Sequence, residues 1–335
     1  MTNVTLGRTG LTGNKNGFGA LPIQRVTRDE AAHLLQKALD HGVTFFDTAR
    51  AYSDSEEKIG FALSSRRDQF TLATKTTAQT AEGFWNDLHT SLRNLKTDHV
   101  DIYQLHNPAF CPKPGDSSGL YDALLEARAQ GKIRFLGITN HRLAVAREAI
   151  ASRLYDTLQF PFSYLASQAD IELVNACGQA NMGFISMKAL SGGLITNSAA
   201  AYAFQAQYPN ALPIWGVQRE RELDEFLSYI DNPPEMTPEL QAVIDRDRSE
   251  LAGDFCRGCG YCLPCPAEID IPTCARMSLL LRRSPSARWL SPAGQEQMAR
   301  IDNCINCRHC ANHCPYGLDT LALLRRNYED YKTFL

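Results

Sequence analysis

Short runs of β-branched and aromatic residues alternate with amphipathic helical stretches over the first 250 residues. The runs predict eight strands, at residues 17–21, 43–47, 70–75, 100–105, 133–138, 157–160, 184–187 and 212–217. Helical periodicity predicts eight helices between and after them, at residues 28–41, 56–63, 81–95, 119–130, 143–151, 169–180, 199–207 and 220–229. The pattern therefore indicates eight strand-helix units in succession.

Eight such units in about 250 residues favour a closed parallel (β/α)8 barrel, with crossovers long enough to return right-handed. An open doubly wound sheet is the alternative. That fold usually carries Gly-x-Gly-x-x-Gly after its first strand, whereas Gly17-Phe-Gly19 leads here to Ala-Leu-Pro22. We therefore expect the TIM barrel, with its chemistry at the C-terminal ends of the strands.

The composition predicts a second domain and argues against nucleic acid and membranes as partners. Of eleven cysteines only Cys111 and Cys177 precede residue 256, which predicts a barrel at 1–250 and a cysteine-dense domain at 251–335. The 34 Lys plus Arg and 37 Asp plus Glu give a net charge of −3, so no cationic surface for nucleic acid is expected. Because no run of about eighteen apolar residues and no signal segment is present, we expect a cytoplasmic protein without a membrane partner.

Four polar residues end or follow the second, third and fourth predicted strands: Asp47, Tyr52, Lys75 and His106. In a barrel these side chains would share one mouth. A phenol has a pKa of about 10, and a neighbouring ammonium such as Lys75 would lower that of Tyr52. Asp47 would hold Lys75, and His106 would donate to a substrate carbonyl oxygen. For each residue taken alone, a structural ion pair or a core histidine is the alternative.

Several motifs resemble those of the aldo-keto reductase family: Asp47-Thr-Ala-x-x-Tyr52, Ala73-Thr-Lys75, Tyr103-Gln-Leu-His106 and Gly137-Ile-Thr-Asn140. The resemblance covers residues 5 to about 230. It implies the barrel, an NADPH or NADH cofactor extended across its mouth, and a small carbonyl or alcohol substrate. It also implies catalysis by the Tyr, Lys, Asp and His named above.

The same resemblance implies which residues hold the dinucleotide. The positions for the nicotinamide carboxamide are Thr139, Asn140 and Gln159. Where many members place an aromatic residue that stacks on the nicotinamide, this chain has Met187, followed by Lys188. The turn near the pyrophosphate is Ser191-Gly-Gly193-Leu194, where glycine lets backbone amides approach phosphate oxygens. Where members often carry Pro-Gly, this chain has Trp215-Gly216.

Four arginines are candidates for binding anions. Arg219 and Arg221 either meet the 2′-phosphate of NADPH or belong to a solvated helix start among Glu220 and Glu222. Arg25 and Arg50 lie on the first two loops of the barrel mouth. They either grip an anionic group of the substrate or pair with Asp29 or Asp54.

The cysteine-dense segment contains two related motifs, Cys256-x2-Cys259-x2-Cys262-x2-Cys265-Pro and Cys304-x2-Cys307-x2-Cys310-x3-Cys314-Pro. The second motif matches a bacterial [4Fe–4S] pattern, in which the fourth cysteine ligates the other cluster. We therefore expect two clusters, one on Cys256, Cys259, Cys262 and Cys314 and one on Cys304, Cys307, Cys310 and Cys265. Zinc is the alternative, although zinc sites usually pair two Cys-x2-Cys units.

Residues 271–281 and 318–331 have helical periodicity, and the tail resembles the all-helical two-cluster ferredoxin domain. Together, the two halves indicate a nicotinamide-dependent oxidoreductase that interconverts a carbonyl and an alcohol and carries an accessory iron-sulfur domain. Two alternatives stay open. One is a ferredoxin-linked electron-transfer enzyme or subunit in which the clusters feed the barrel site, and the other is a redox-sensing interaction protein.

Overall fold

The computed structural model describes residues 3–251, 255–283 and 286–335. The chain divides into two compact units, one of Met1–Ala189 with Ser198–Gln241 and one of Leu190–Asn197 with Ala242–Leu335. The second unit therefore contains a short segment that follows the seventh strand of the barrel. The sequence-based boundary at residue 250 lies at the C-terminal end of a helix.

The first unit contains a closed barrel of eight parallel strands, which confirms the predicted fold. A hairpin of β1 (Asn3–Thr5) and β2 (Thr12–Asn14) precedes it. The barrel strands are β3 (Gly17–Gly19), β4 (Phe45–Asp47), β5 (Thr71–Thr76), β6 (Val100–His106), β7 (Ile133–Thr139), β8 (Thr157–Pro161), β9 (Gly183–Met187) and β10 (Ala211–Gly216). They pair in chain order, and β10 closes the barrel on β3.

Helices follow the barrel strands from the first crossover onward. They are α1 (Arg28–Asp40), α2 (Ser55–Leu63), α3 (Ala81–Leu95), α4 (Leu120–Ala129), α5 (Leu143–Ser152), α6 (Gln168–Gln179), α7 (Ser198–Ala206), α8 (Glu220–Asp231) and α9 (Pro238–Glu250). All eight predicted strands and the first eight helices agree with these bounds to within two residues. Only α9 among them was not predicted, because it has little apolar periodicity.

Side-chain caps fix the start of several helices. Thr27 accepts from the backbone N–H of Glu30, whose carboxylate accepts from Thr27 N, so that α1 begins with a capping box. The same reciprocal pattern joins Ser167 and Asp170 at α6. Each cap stabilises its helix by about 1 kcal/mol, which favours the observed start over its neighbours.

The β1–β2 hairpin was not predicted. Val4 and Leu6 are fully buried and belong to one hydrophobic cluster with barrel residues such as Phe45, Ile102 and Leu212. The two strands read Asn-Val-Thr and Thr-Gly-Asn, so they carry no apolar run that would indicate a strand from sequence. The hairpin is therefore stabilised by long-range packing against the barrel.

The second unit is helical. After α9 it contains α10 (Ile271–Cys274), α11 (Met277–Arg283), α12 (Ala287–Leu290), α13 (Pro292–Ala299), α14 (His309–Asn312) and α15 (Thr320–Lys332). The predicted helix at 271–281 is divided in two, and buried Asn327 on α15 holds the break. Its side chain accepts from Ser278 N at 2.8 Å and donates to the carbonyl of Ala275 at 3.2 Å. Over the described ranges, no helix combines the length and the apolar character needed to cross a membrane.

Candidate active site

A buried ion pair lies at the C-terminal ends of β4 and β5. The Lys75 ammonium donates to Asp47 Oδ2 at 2.6 Å and to the carbonyl oxygen of Thr48 at 2.6 Å. The exposed fractions of the Lys75 and Asp47 side chains are only 1% and 2%. Burial lowers the pKa of Lys75 and raises the pKa of Asp47, because it disfavours both charged forms, whereas their mutual contact favours them. The pair therefore depends on its other hydrogen bonds.

Two glutamines supply those bonds. Gln104 Nε2 donates to Asp47 Oδ1 at 3.2 Å, and Gln159 Nε2 donates to Asp47 Oδ2 at 3.5 Å. The Gln104 amide also donates to Gln159 Oε1 at 2.9 Å. Gln159, predicted to hold the nicotinamide carboxamide, thus contacts the carboxylate that positions Lys75. Gln104 was given no role from sequence, yet it lies two residues before His106 on β6, and alternate residues of a strand share a face. That spacing could have identified it.

Tyr52 lies on the loop between β4 and α2. Its backbone N–H donates to Ala49 at 2.9 Å, and its carbonyl accepts from Ser55 N at 2.8 Å. The centroid of its ring is 5.1 Å from Lys75 Nζ and 5.9 Å from the centroid of the His106 imidazole. The structure therefore brings the four predicted residues together at one mouth of the barrel.

The ionisation of Tyr52 differs from the expectation. Burial, with a smaller contribution from the negative charge of Asp47, raises its pKa above the ordinary value. The prediction that Lys75 lowers this pKa is wrong for this structure, because the ammonium directs its N–H groups to Asp47 and to the Thr48 carbonyl. Tyr52 is consequently protonated at neutral pH, which is the form that a proton donor needs.

His106 is a neutral donor. Burial, together with the nearby charge of Lys75, lowers its pKa to about 3, so the imidazole carries a single N–H at neutral pH. Its Nδ1 is buried and meets no hydrogen-bond partner among the residues that the structure describes. A neutral ring of this kind can donate its single N–H to an oxygen on which negative charge develops.

The two other residues predicted at the nicotinamide carboxamide are buried in the loop network after β7. Thr139 Oγ1 accepts from the backbone N–H of Asn107 at 3.1 Å. The Asn140 side chain donates to the carbonyl of Pro108 at 2.9 Å and accepts from Arg142 N at 2.8 Å. Both residues hold the loop after β6 in this structure, and their contact with a cofactor stays a prediction.

The predicted cofactor residues near the last two barrel strands occupy strand ends and a helix start. Met187 ends β9, and Lys188 follows it with a φ of +57°. Gly216 ends β10, where a Cβ would stand 3.0 Å from the ring of Pro22. Arg219 precedes α8 and approaches Glu222 at 3.7 Å, while Arg221 is exposed on the first turn. The contact between Arg219 and Glu222 fits a solvated helix start.

The predicted pyrophosphate turn lies in the segment 190–197 of the second unit. Its Ser191, Gly192 and Gly193 all have positive φ values, and the N–H of Gly193 donates to the carbonyl of Leu190 at 2.9 Å. Leu194 is fully buried. The backbone is therefore a tight turn of the kind that glycine permits.

Arg50 contributes to the structure of the loop that carries Tyr52. Its Nη1 lies 2.7 Å from Glu56 Oε2, and the Glu56 side chain is fully buried. The other oxygen of that carboxylate accepts from Thr74 Oγ1 at 2.7 Å. The guanidinium thus neutralises a buried carboxylate beside the mouth.

The pairing of Arg25 or Arg50 with Asp29 or Asp54 is a wrong prediction. Asp29 lies 3.8 Å from Arg28, and Asp54 pairs with Lys58 at 2.8 Å. Arg25 is exposed at the end of a short 3₁₀ helix, and the described ranges contain no ion pair to it. Binding of a substrate anion by either arginine stays a prediction.

The cysteines of the second unit line two cavities. One cavity is lined by Cys256, Cys259, Cys262 and Cys314. The other is lined by Cys265, Cys304, Cys307 and Cys310. Each cavity thus contains one of the two predicted sets of four. We call them the Cys256 cavity and the Cys265 cavity.

Both cavities suit an iron-sulfur cluster, because each offers four thiol ligands among apolar walls. Ile271 and Cys310 line both cavities, so the two lie side by side. Cys307 is exposed, whereas Cys262 and Cys310 are buried. Cys274 lines neither cavity and directs its Sγ towards the carbonyl of Gln297 at 3.8 Å.

The barrel and its mouth define the class of protein, and comparison with known proteins agrees. The chain belongs to the aldo/keto reductase family, whose model matches residues 9–201. A second model, the 4Fe-4S dicluster domain, matches residues 255–319. The protein is thus an oxidoreductase of the aldo-keto reductase type that carries an iron-sulfur domain.

Individual relatives share the barrel. The chain is 29% identical over 226 residues to the uncharacterized oxidoreductase YrpG of Bacillus subtilis, covering 58% of this chain and 68% of the relative. It is 30% identical over 211 residues to an L-galactose dehydrogenase of Arabidopsis thaliana, covering 57% and 66%. A solved aldo-keto reductase from Bacillus halodurans superposes with a TM-score of 0.65 at 19% identity, covering 74% and 96%. One from Klebsiella pneumoniae in complex with NADPH gives 0.63 at 22%, covering 73% and 95%.

Proposed function

We propose that this protein interconverts a carbonyl and an alcohol at the mouth of its barrel with NADPH or NADH as cofactor. The observation that carries the proposal is the buried Lys75–Asp47 pair, with the Tyr52 phenol and the neutral His106 imidazole beside it. A proton donor, a hydrogen-bond donor and a positive charge are combined there at the C-terminal ends of neighbouring strands. The NADPH complex of the Klebsiella pneumoniae protein supports this choice of cofactor.

Each of the four residues at the mouth has its own role in the proposed carbonyl reduction. A bound reduced nicotinamide supplies the hydride. His106 donates its N–H to the carbonyl oxygen and stabilises the negative charge that develops there. Tyr52 then gives its proton to that oxygen, because the alkoxide is the stronger base. Asp47 keeps the Lys75 ammonium charged and aligned beside the phenol. In the opposite direction the phenolate accepts the proton of the alcohol.

The cofactor contacts inferred from the resemblance belong to this proposal. Thr139, Asn140 and Gln159 would hold the nicotinamide, and the turn at residues 191–194 would receive the pyrophosphate. Met187, Lys188 and Gly216 would contact the cofactor near the strand ends, and Arg219 with Arg221 would lie at the 2′-phosphate end. Arg25 is the more available of the two candidates for a substrate carboxylate, because Arg50 is bonded to Glu56.

The tail would hold two [4Fe–4S] clusters, one in the Cys256 cavity and one in the Cys265 cavity. A second candidate function follows from their arrangement, because adjacent cavities with exposed Cys307 at one end suit entry of single electrons from a ferredoxin or another redox protein. Under that candidate, reduced clusters feed the barrel site. Since a nicotinamide does not readily accept single electrons, the first function is preferred.

Anaerobic assays of the holoprotein separate the candidates. We expect about eight iron and eight sulfide per chain, and oxidation of NADPH or NADH that depends on a carbonyl in a panel of aldehydes and ketones. The first function predicts the same kcat, at saturating cofactor, with the clusters oxidised and with them reduced by dithionite. Turnover that requires reduced clusters would favour the electron-transfer enzyme. Absence of turnover in both states would contradict both functions.

A further inference from the structure

Two arginines of the tail bind the backbone of segment 190–197. Arg276 Nη1 donates to the carbonyl oxygen of Gly192 at 3.1 Å, and Arg283 Nε donates to that of Leu194 at 2.9 Å. Arg283 is also paired with Asp247 at 2.7 Å, which is 3% exposed. The turn predicted for the pyrophosphate is therefore held in place by side chains of the iron-sulfur unit.

The same Arg276 guanidinium lies against the cysteine loop. Gly258 stands between Cys256 and Cys259, and a Cβ on it would be 2.9 Å from both Cζ and Nη1 of Arg276. A Cβ on Gly192 would likewise be 2.9 Å from Nη1. Both glycines have positive φ values, +63° and +67°. The guanidinium of Arg276 is thus packed closely against both turns.

The cysteine turn is itself part of the Cys256 cavity. The N–H of Gly258 points to Cys256 Sγ at 3.4 Å, and Cys256, Cys259 and Arg257 line the cavity. A change of charge in this cavity acts on the guanidinium at short range, because Arg276 packs against Gly258 in the loop that carries Cys256 and Cys259.

We propose that Arg276 is a positioning residue that couples the dinucleotide turn to the cluster of the Cys256 cavity, so that cofactor binding and cluster reduction oppose each other. The inference rests on the proposed function, in which residues 191–194 hold the pyrophosphate. Reduction of the cluster adds negative charge beside the guanidinium. This charge draws the guanidinium towards the cysteine loop. Its hydrogen bond to Gly192 weakens, and the turn loses an anchor that its binding conformation needs.

Linkage makes this coupling reciprocal. If a reduced cluster weakens the binding of NADP⁺, bound NADP⁺ must lower the reduction potential of that cluster by the same factor. Coupling factors between sites are typically fivefold or more. A fivefold effect corresponds to a fall of about 40 mV for a one-electron couple, at 59 mV per factor of ten.

The test is an anaerobic redox titration of the full-length holoprotein, followed by electron paramagnetic resonance, without and with saturating NADP⁺. In the wild type we expect NADP⁺ to lower the potential of one cluster by about 40 mV or more. In Arg276→Gln we expect a lower cluster potential without NADP⁺, because a cation that favours the reduced form is gone. Addition of NADP⁺ should then change this potential only by an amount that corresponds to a coupling factor below two. Arg282→Gln is the matched control, because Arg282 pairs with Asp330 and is expected to behave as the wild type.

Further measurements separate the possible failures. Iron content and binding of NADP⁺ to the oxidised protein, measured by calorimetry, are recorded for every variant. Arg276→Lys keeps the positive charge but lacks the planar guanidinium with its several N–H donors. It replaces Arg276→Gln if that variant loses its clusters, and we expect NADP⁺ to cause no shift of the cluster potential in it. A wild type that binds neither NADP⁺ nor NAD⁺ would contradict the proposed function, and if only NAD⁺ binds the titration is carried out with NAD⁺. A wild type that binds NADP⁺ without a shift, or an Arg276 variant with clusters that keeps the full shift, would overturn the coupling alone.

Discussion

The barrel mouth and the cysteine cavities hold polar groups in the interior in opposite ways. At the mouth, the buried charges of Lys75 and Asp47 meet each other and two glutamine amides, so the protein itself supplies every partner. In the tail, eight thiols face two cavities with largely apolar walls. The comparison teaches that the barrel site is organised by the chain alone, whereas the tail presents thiols that the proposed clusters would join.

Removal of iron is expected to have the largest effect and to affect only the tail. After anaerobic chelation, backbone amides of α10, α11 and α15 should exchange with deuterium at least about a hundredfold faster, because cluster binding contributes directly to folding of a small domain. Amides of β5 and β6 are the internal control and should keep their protection. Equal loss of protection in both units would contradict the division of the chain that we draw.

Breaking the ion pair of the mouth is expected to destabilise the barrel. Asp47→Asn leaves the Lys75 ammonium buried without its carboxylate, and the free energy of unfolding in urea should fall by about 3–5 kcal/mol. Asp47→Asn combined with Lys75→Met should cost less than the single change, because no unpaired charge remains. Asp98→Asn, at an exposed carboxylate, is the control. A loss below about 1 kcal/mol for Asp47→Asn would show that the pair is not held as described.

Substitution of the two arginines of the mouth loops is expected to affect different properties, stability for Arg50 and substrate binding for Arg25. Arg50→Met leaves buried Glu56 without its cation, so the free energy of unfolding should fall by about 2 kcal/mol. Arg25→Met should leave stability unchanged but raise KM about tenfold for a carbonyl that carries a carboxylate, and leave KM for a neutral carbonyl unchanged. Equal KM values for both substrates in Arg25→Met would remove Arg25 from the substrate site.

The smallest expected effect concerns His106 over the single pH unit below 6.5. Its pKa of about 3 lies below the ordinary 6.5, so between these values the unfolded chain binds more protons than the folded one. The free energy of unfolding should therefore fall as pH drops below 6.5, by about 1.4 kcal/mol per unit. From pH 5.5 to 8, kcat/KM for reduction should show no step near 6.5. In His106→Gln the free energy of unfolding should depend less steeply on pH below 6.5, by the contribution of this one proton. An unchanged slope would contradict the lowered pKa of His106.

Much of the fold followed from periodicity, because each barrel strand and its helix bury a long apolar pattern. Asp47, Lys75 and His106 could be placed together because parallel strands end at one mouth. The pKa of Tyr52 could not be predicted, because it depends on the burial of the phenol and on its distance from the Asp47 carboxylate in the folded chain. The partner of Arg50 was missed for a similar reason: Glu56 becomes its neighbour only when the loop folds back on α2.

Segment 190–197 shows another limit of sequence reasoning. Its glycines indicate a turn that suits phosphate, but nothing in the local pattern shows that Arg276 and Arg283, more than eighty positions later, bind its carbonyls. Such contacts follow from tertiary packing within the second unit. The grouping of the cysteines around two cavities was easier to predict, because fixed spacings restrict which thiols can lie close together, while their roles as cluster ligands stay a prediction.

The most direct test of the central claim is the turnover of Tyr52→Phe beside the wild type and Tyr121→Phe, in anaerobic holoproteins with equal iron content. Tyr121 binds the carbonyl of Leu154 on the outside of the barrel and serves as the matched phenol. We expect kcat for carbonyl reduction to fall by at least about a hundredfold in Tyr52→Phe and to stay within twofold in Tyr121→Phe, with cofactor binding unchanged in both. Undiminished turnover of Tyr52→Phe would contradict the account, because the proton would then come from elsewhere.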